Sequence, residues 1–325
     1  MPSTSSGRQQ GATTGSVPAL GGGRRQRRPG WLPHRKLGRP LLLPYLFVAP
    51  AVVFTALFSI LPLVILFRRS FLAGGIFATH LSWVGLQNYT NTLSQGGGQA
   101  LKVTAIFTVA FIVLTMGFGL GIALLLDMKL PGVKRLRAPF IIPLAMPSVA
   151  TALIWATLFA PQIGLINRIL SVLGIPQADF TSSPSLAMVM ILSFGTWQFF
   201  GQNVILYLAA LKNLPVEIME QSSIDGAGAW QRFWHIRLPL LQRNTILILV
   251  ITTLTGLQTF NQIYVLTNGG PNGATTTALF YVYNQGFVQF NTGQADAMAV
   301  ILFLISLVIT VGQVGILGRR AHREI

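Results

Sequence analysis

The 325-residue chain has no cysteine, and only 9% of it is charged. Without thiols there is no disulfide scaffold, thiolate zinc site, iron–sulfur cluster or cysteine nucleophile. Four histidines (His34, His80, His235 and His322), none near another, are a poor basis for a protein-made metal site. Soluble domains carry about 25% charged residues, so a chain this long with so few cannot clothe a water-facing surface. A water-soluble monomer is excluded. Acidic residues are scarcest, with 7 Asp plus Glu against 23 Lys plus Arg and a formal net charge of +16. In a soluble protein that imbalance points to nucleic acid, but here the basic residues sit between apolar blocks, not within them.

Catalytic signatures are missing too. No Lys follows a Gly, so there is no phosphate-binding loop of the form GxxxxGKS or GxxxxGKT, and neither a GxSxG elbow nor an HExxH pair occurs. The chain is therefore expected to be no enzyme and to bind no cofactor or metal of its own.

What the sequence does have is long hydrophobic runs. The charge-free intervals 40–67, 103–126, 138–167, 180–211, 244–295 and 297–318 each exceed the roughly 20 residues needed to cross about 30 Å of hydrocarbon. Their apolar cores, 45–67, 103–126, 138–159, 186–211, 245–266 and 297–317, predict an all-α integral membrane protein with six transmembrane helices. Prolines 44, 50, 62, 143 and 147 fall inside the first and third cores and are read as kinks, because neighbouring helices re-satisfy the freed carbonyls. Six spans put both termini on one side. That side collects nineteen of the 23 Lys and Arg; Arg68, Arg69, Lys102 and Arg168 fall on the other. Because positive loops stay inside, both termini are expected in the cytoplasm, with the chain in the cell membrane. Residues 1–40 lack large apolar side chains and read as a disordered basic tail, 41–320 as the membrane domain, and 321–325 as a cytoplasmic end. The apolar run after the arginines exceeds a signal core and no small-residue cleavage site follows, so it is read as a retained helix.

No ionisable group lies deep in any core. Proton-coupled carriers usually need one, so the driving energy is expected from elsewhere. The fourth core instead carries Trp197, Gln198, Gln202 and Asn203, and the fifth Thr252, Thr255, Gln258, Asn261, Gln262 and Tyr264. Gln198 and Gln202 are spaced for one helix face, as are Thr255, Gln258 and Gln262. Amides and rings together suit a neutral polyhydroxylated solute, although such groups also commonly join helix to helix.

The longest internal cytoplasmic stretch follows the fourth core. Asn213 is read as an N-cap with Pro215 in the first turn, the helix stops at Gly226, and a second short helix at 229–235 precedes Pro239 and the fifth span. This two-helix coupling segment, 213–241, makes a knob at the membrane face that a soluble partner can grip.

Its run EQSSIDGAGAWQRFWHIRLPLL at 220–241 resembles the coupling segment of permease subunits in ATP-binding-cassette importers. That pattern is Glu-Ala-Ala, three residues, Gly, nine residues, Ile, one residue, Leu-Pro. Glu220, Gly226, Ile236, Leu238 and Pro239 match with the spacing kept, while Gln221 and Ser222 replace the two alanines. WVGLQNY at 83–89, LAALKNLP at 208–215 and YVLTNGGPNGATTTALFYVYNQGF at 264–287 are similar to phrases of the carbohydrate branch, the maltose and glycerol-3-phosphate type. Gly269, Gly270, Pro271 and Gly273 make a turn-rich external loop suited to meeting a solute-binding protein. The resemblance implies that the coupling segment, with Glu220, Gln221, Ser222, Asp225, Gly226, Ala227, Phe233, Ile236, Leu238 and Pro239, inserts into an ATPase subunit. It implies a second permease, two ATPase copies holding ATP and magnesium, and an extracytoplasmic binding protein that together import a sugar or polyol. LSQGGGQ at 93–99 is superficially similar to the ATPase signature LSGGQ but has an inserted residue and an external position. The rival reading is a stand-alone secondary carrier or channel for a neutral polar solute, which needs neither knob nor partner.

Overall fold

The computed structural model describes residues 43–75, 80–128 and 137–317. The expected tail at 1–40, the loop at 129–136 and the end at 321–325 lie outside the described residues. In chain order the helices are α1 (Leu43–Thr55), α2 (Leu61–Arg69), α3 (Gln87–Thr92), α4 (Gly98–Asp127), α5 (Arg137–Ala145), α6 (Ser148–Leu158) and α7 (Leu165–Val172). They continue as α8 (Pro184–Lys212), α9 (Val216–Ile224), α10 (Ala229–Arg232), α11 (Leu238–Leu257), α12 (Asn261–Leu266), α13 (Ala278–Tyr283) and α14 (Thr292–Gly312). A two-residue antiparallel pair, β1 (Leu72–Ala73) with β2 (Ser82–Trp83), interrupts them. The chain divides after Thr55 into two compact units, the first contributing α1 and the second everything that follows.

Five helical runs are long and apolar enough to cross a membrane: Tyr45–Arg69, Gln87–Asp127, Pro184–Lys212, Ala229–Leu266 and Thr292–Gly315. The third expected span is not a straight helix. It is the pair α5 and α6, bent by 106° at a break of two residues. The expectation that its prolines only kink the helix is corrected at Pro147, which adopts extended backbone (φ −60°, ψ 118°) and caps α6, whereas Pro143 stays inside α5. A proline disfavours helical backbone in the residue before it, so α5 stops short of Met146.

Two other prolines are accommodated without a break. Leu61-Pro62 and Leu238-Pro239 each follow directly on a five-residue π turn, Ala56–Ile60 and Phe233–Arg237. The wider turn shifts the carbonyl ladder where the pyrrolidine ring would strike it and where its missing N–H would be needed.

In the second unit α4 and α8 lie side by side and run parallel: a methyl at Gly195 would touch Phe107 and Phe111, and one at Gly119 would lie 2.5 Å from the Asn203 Cβ. Glycine is required at 119 because the two backbones meet there, the usual device where lipid gives helices no hydrophobic reason to associate. Gly201 likewise backs onto the Phe140 carbonyl of α5. α11 runs antiparallel to both, with Gly256 against Thr108 and Phe111. One core cluster gathers Phe107, Phe111, Phe159, Phe194 and Ile263 toward one end, and a second gathers Leu126, Tyr207, Leu211 and Leu241 toward the other.

The end of the bundle bearing the strand pair is held by polar contacts. Asn88 donates to the Ser70 and Leu72 carbonyls at 2.9 Å, Trp83 stacks on Phe71, and Arg69 pairs with Asp296 at 3.2 Å. Before α8, the Ser182 and Thr181 hydroxyls donate to Asp179, which with the Thr181 amide hold its carboxyl down at about 2. That turn is complete above the ordinary aspartate value of roughly 3.9 and is released only as the pH falls through about 2.

Gly119→Ala and Gly117→Ala are expected to act in opposite directions. The first forces α4 from α8 and lowers stability by about 1–3 kcal/mol. The second faces open space and gains helix propensity of up to about 1 kcal/mol. Thermal aggregation midpoints of the detergent-solubilised variants check both signs.

Candidate functional site

Two regions carry the residues singled out by sequence: the segment between α8 and α11, and a polar layer within the bundle.

The segment begins differently from its sequence reading. Asn213 caps the C-terminus of α8 and does not start the next helix; Pro215, in extended backbone, is the N-cap of α9. α9 ends as expected. Asp225 is its C-cap, Gly226 follows at φ +77°, Gly226 N donates to the Ser223 carbonyl and Ala227 N to the Ser222 carbonyl at 3.1 Å. This paired bonding is the Schellman closure, and its left-handed position is what glycine supplies. Ser222 is buried with its hydroxyl bonded to the Met219 carbonyl at 2.8 Å, while Gln221 is exposed. Both departures from the alanine pair are therefore absorbed: the serine needs no outside partner and the glutamine displaces nothing. Glu217, Glu220 and Asp225 are exposed, which puts three of the chain's 7 acidic residues on this one short helix and its cap.

The second short helix is corrected. α10 does not stop before the fifth span but runs through the π turn into α11, so Ala229–Leu257 is one unbroken helix within the apolar run Ala229–Leu266. Pro239, expected as a boundary, lies in the first turn of α11. Trp230, Phe233 and Trp234 form an aromatic trio with centroids 5.2–6.2 Å apart. Phe233, Ile236 and Leu238 are half-buried and Pro239 is exposed.

In the bundle, Asn203 and Thr252 meet in a buried 3.1 Å hydrogen bond between α8 and α11. Gln202 and Thr255 join them around a gap of about 10 Å³, closed by Phe111, Thr115 and Phe199. A gap that size holds no solute; the layer is sealed. Gln198 shares the α8 face of Gln202 but is engaged elsewhere, its amide donating to Ser148 Oγ at 2.9 Å and the Met146 carbonyl at 3.3 Å. It thereby satisfies the break in the third span. Trp197 packs on Trp155 at 5.3 Å and also lines an apolar hollow of about 410 Å³ with Leu114, Phe118 and Phe200.

The expected face of Thr255, Gln258 and Gln262 is not formed. α11 ends at Leu257, Phe260 leaves helical backbone (φ −143°), and α12 starts afresh at Asn261. Gln262 turns inward to donate to Thr259 Oγ1, whereas Gln258, Asn261 and Tyr264 are exposed, Tyr264 stacking on Phe260 at 5.5 Å. Of the ten polar and aromatic residues singled out in the fourth and fifth cores, Gln202, Asn203, Thr252 and Thr255 come together.

Sequence reading missed Ser148 and Met146, whose role depends on the bend, and a polar cleft of about 360 Å³ lined by Gln95, Asn268, Asn284, Gln285 and Gln289. Most of that cleft's lining, including Asn268, Asn284 and Gln285, belongs to the phrase at 264–287, while Gln95 and Gln289 lie outside it. The glycine-rich loop is internally tied: Thr275 Oγ1 bonds Thr267 Oγ1 and the Gly270 carbonyl at 2.7 Å, and Thr276 bonds the Gly269 carbonyl.

The residues that build the bundle and its exposed acidic helix place the chain among proteins of known class. Residues 117–323, more than half of the chain, match the family of binding-protein-dependent transport system inner membrane components, and the chain belongs to that family. It is 34% identical over 283 residues (86% of this chain, 96% of the relative) to the sn-glycerol-3-phosphate transport system permease protein UgpA of Agrobacterium fabrum. It is also 34% identical over 277 residues (84% and 92%) to the trehalose/maltose transport system permease protein MalF of Thermococcus litoralis. Its fold is like that of a chain in the crystal structure of a bacterial ABC transporter involved in import of the acidic polysaccharide alginate, with a TM-score of 0.76 and 23% identity over 85% of this chain and 95% of that one.

Thr252→Val removes the donor to Asn203 and is expected to lower stability by about 0.6 kcal/mol, while Gln258→Leu, on an exposed position, leaves it unchanged. Denaturant-induced unfolding in micelles separates the two.

Proposed function

We propose that this chain is the six-span permease subunit, both termini cytoplasmic, of an ATP-binding-cassette importer for a sugar or related polyol. A second permease completes the pathway, two copies of a separate ATPase drive it with ATP and magnesium, and an extracytoplasmic binding protein delivers the solute. The single observation that carries this reading is the 213–241 segment. An acidic helix α9 stands exposed, is closed at Gly226, and leads within three residues into a helix continuous with a membrane span. A partner that grips α9 thus has a stiff lever into the bundle. The relatives named for sn-glycerol-3-phosphate and trehalose/maltose transport support the solute class. So does the amide and hydroxyl chemistry of Gln202, Asn203 and Thr255, which matches hydroxyl groups without supplying charge.

The mechanism is alternating access. ATP draws the ATPase pair together, α9 moves with it, and α8 and α11 shift where Asn203 meets Thr252, opening the sealed layer to the outside; hydrolysis restores it. The exposed carboxylate of Glu220 meets the ATPase, and the Gly226 turn keeps α9 at a set angle to α10.

Gly226→Val places a branched side chain at left-handed backbone, a strain of about 1–2 kcal/mol, and disrupts the Schellman closure without a steric clash. Expected is correctly inserted protein with ATP hydrolysis retained and uptake reduced at least about tenfold, since 1.4 kcal/mol is a factor of ten. Undiminished uptake by this variant, or solute transport by the purified single chain without ATP, overturns the proposal. Affinity purification with mass spectrometry of every co-purifying chain tests the partners directly.

A further inference from the structure

At the end of α4, where the apolar run stops at Asp127, the wall of α4 and α10 with its following π turn enclose a cleft of about 520 Å³. Leu124, Leu125 and Met128 form one side; Ala229, Trp230 and Phe233 form the other, with Arg232 and Arg237 at its polar edge and Asp127 the one acidic group. Leu125 is 60% and Trp230 73% exposed. The π turn matters here. In a regular α-helix, residues five apart point well away from each other, but the Phe233–Arg237 turn inserts an extra residue, and Arg232 and Arg237 line the same cleft. Among the described residues the one ion pair is Arg69 with Asp296, so both guanidinium groups and Asp127 have no salt-bridge partner there.

We propose that this cleft binds one anionic phospholipid, the phosphate held by Arg232 and Arg237 and the first methylenes of an acyl chain laid along Leu124, Leu125 and Met128. The site joins the two chemistries that a lipid presents at this depth. Guanidinium forks bond phosphate oxygens bidentately, indole rings such as that of Trp230 favour the membrane–water boundary, and basic pockets between helices at that boundary take anionic headgroups. The volume fits a headgroup with a short length of chain, and falls in the range of small-molecule sites. The cleft carries two positive groups against one negative, so a zwitterionic headgroup forfeits the net attraction. The chain's own N-terminal tail, rich in arginine, is repelled. The proposal is independent of which solute is carried.

The test uses the full chain with all co-purifying subunits, reconstituted in nanodiscs of equimolar phosphatidylglycerol and phosphatidylcholine, then released and analysed by native mass spectrometry for retained lipid. Retention of phosphatidylglycerol over phosphatidylcholine is expected in the wild type, and R232Q/R237Q is expected to reduce that preference by roughly fivefold per arginine removed. Asp127→Asn removes the opposing charge and is expected to raise the preference, which keeps the test decisive where the double variant fails to insert. A photo-reactive benzoylphenylalanine at position 230 is expected to crosslink to lipid in cells. Equal retention of the two lipids, a preference that neither variant moves, or a crosslink to polypeptide in place of lipid overturns the proposal.

Discussion

Inside hydrocarbon no water is available to a stray backbone group, and every unpaired N–H or C=O costs free energy that a marginally stable fold cannot spare. This chain carries 18 prolines, several within its apolar runs, and the architecture follows from how each is reconciled with that constraint. Pro62 and Pro239 follow π turns and leave their helices continuous. Pro147 breaks its span outright, and the amide of Gln198 reaches across from α8 to occupy the opened end at Met146 and Ser148. The threonines obey the same rule. Thr104, Thr115 and Thr253 bond carbonyls one turn back, so these hydroxyls are spent within their own helices.

That economy leaves a small set of polar contacts between helices, and these lie where the helices must register. Asn203 with Thr252 joins α8 to α11, and Gln313 with Thr253 joins the end of the last span to α11. Between them the close approach at Gly119 brings α4 to α8. Helices joined at single points, α8 to α11 by the polar contact and α4 to α8 by the glycine contact, can tilt about those points while their apolar faces slide, since lipid and leucine are equally good neighbours. For the proposed alternating access this is the relevant property: α9 hangs from the end of α8 by three residues, and the lever of α10 and α11 leads back to the same polar point.

Charge is distributed to match. Three of the 7 acidic residues cluster on α9 and its cap, set against a chain that is otherwise strongly basic, so the knob is an electrostatic exception that distinguishes it from the lipid-facing surroundings. A few residues on, Arg232 and Arg237 flank exposed aromatic rings at the end of α4. Within one segment the surface thus changes from an acidic face suited to a protein to a basic, aromatic edge suited to a membrane boundary.

The membrane class, the places of five helical runs and the helix stop at Gly226 were legible in the sequence, because each depends on local quantities: hydropathy summed over a window, or the backbone freedom of one residue. The spacing at 220–239 marked, through its resemblance to a family pattern, the segment proposed above to meet the ATPase. Whether α10 stands apart or extends the fifth span was not legible, since a π turn is a register change that leaves no mark in residue type. The face expected of Thr255, Gln258 and Gln262 failed because periodicity assumes an unbroken helix, and the break at Phe260 arises from how Thr259, Gln262 and Thr277 bond one another. Gln198 was read as a possible solute ligand and is a structural donor, a role created by a span bent through 106° elsewhere in the chain. The sequence by itself determined that the chain lives in a membrane and where its long apolar runs lie, through short-range chemistry. Only the tertiary structure decided which polar side chains meet, because partners 49 or 50 residues apart are chosen by packing and not by spacing.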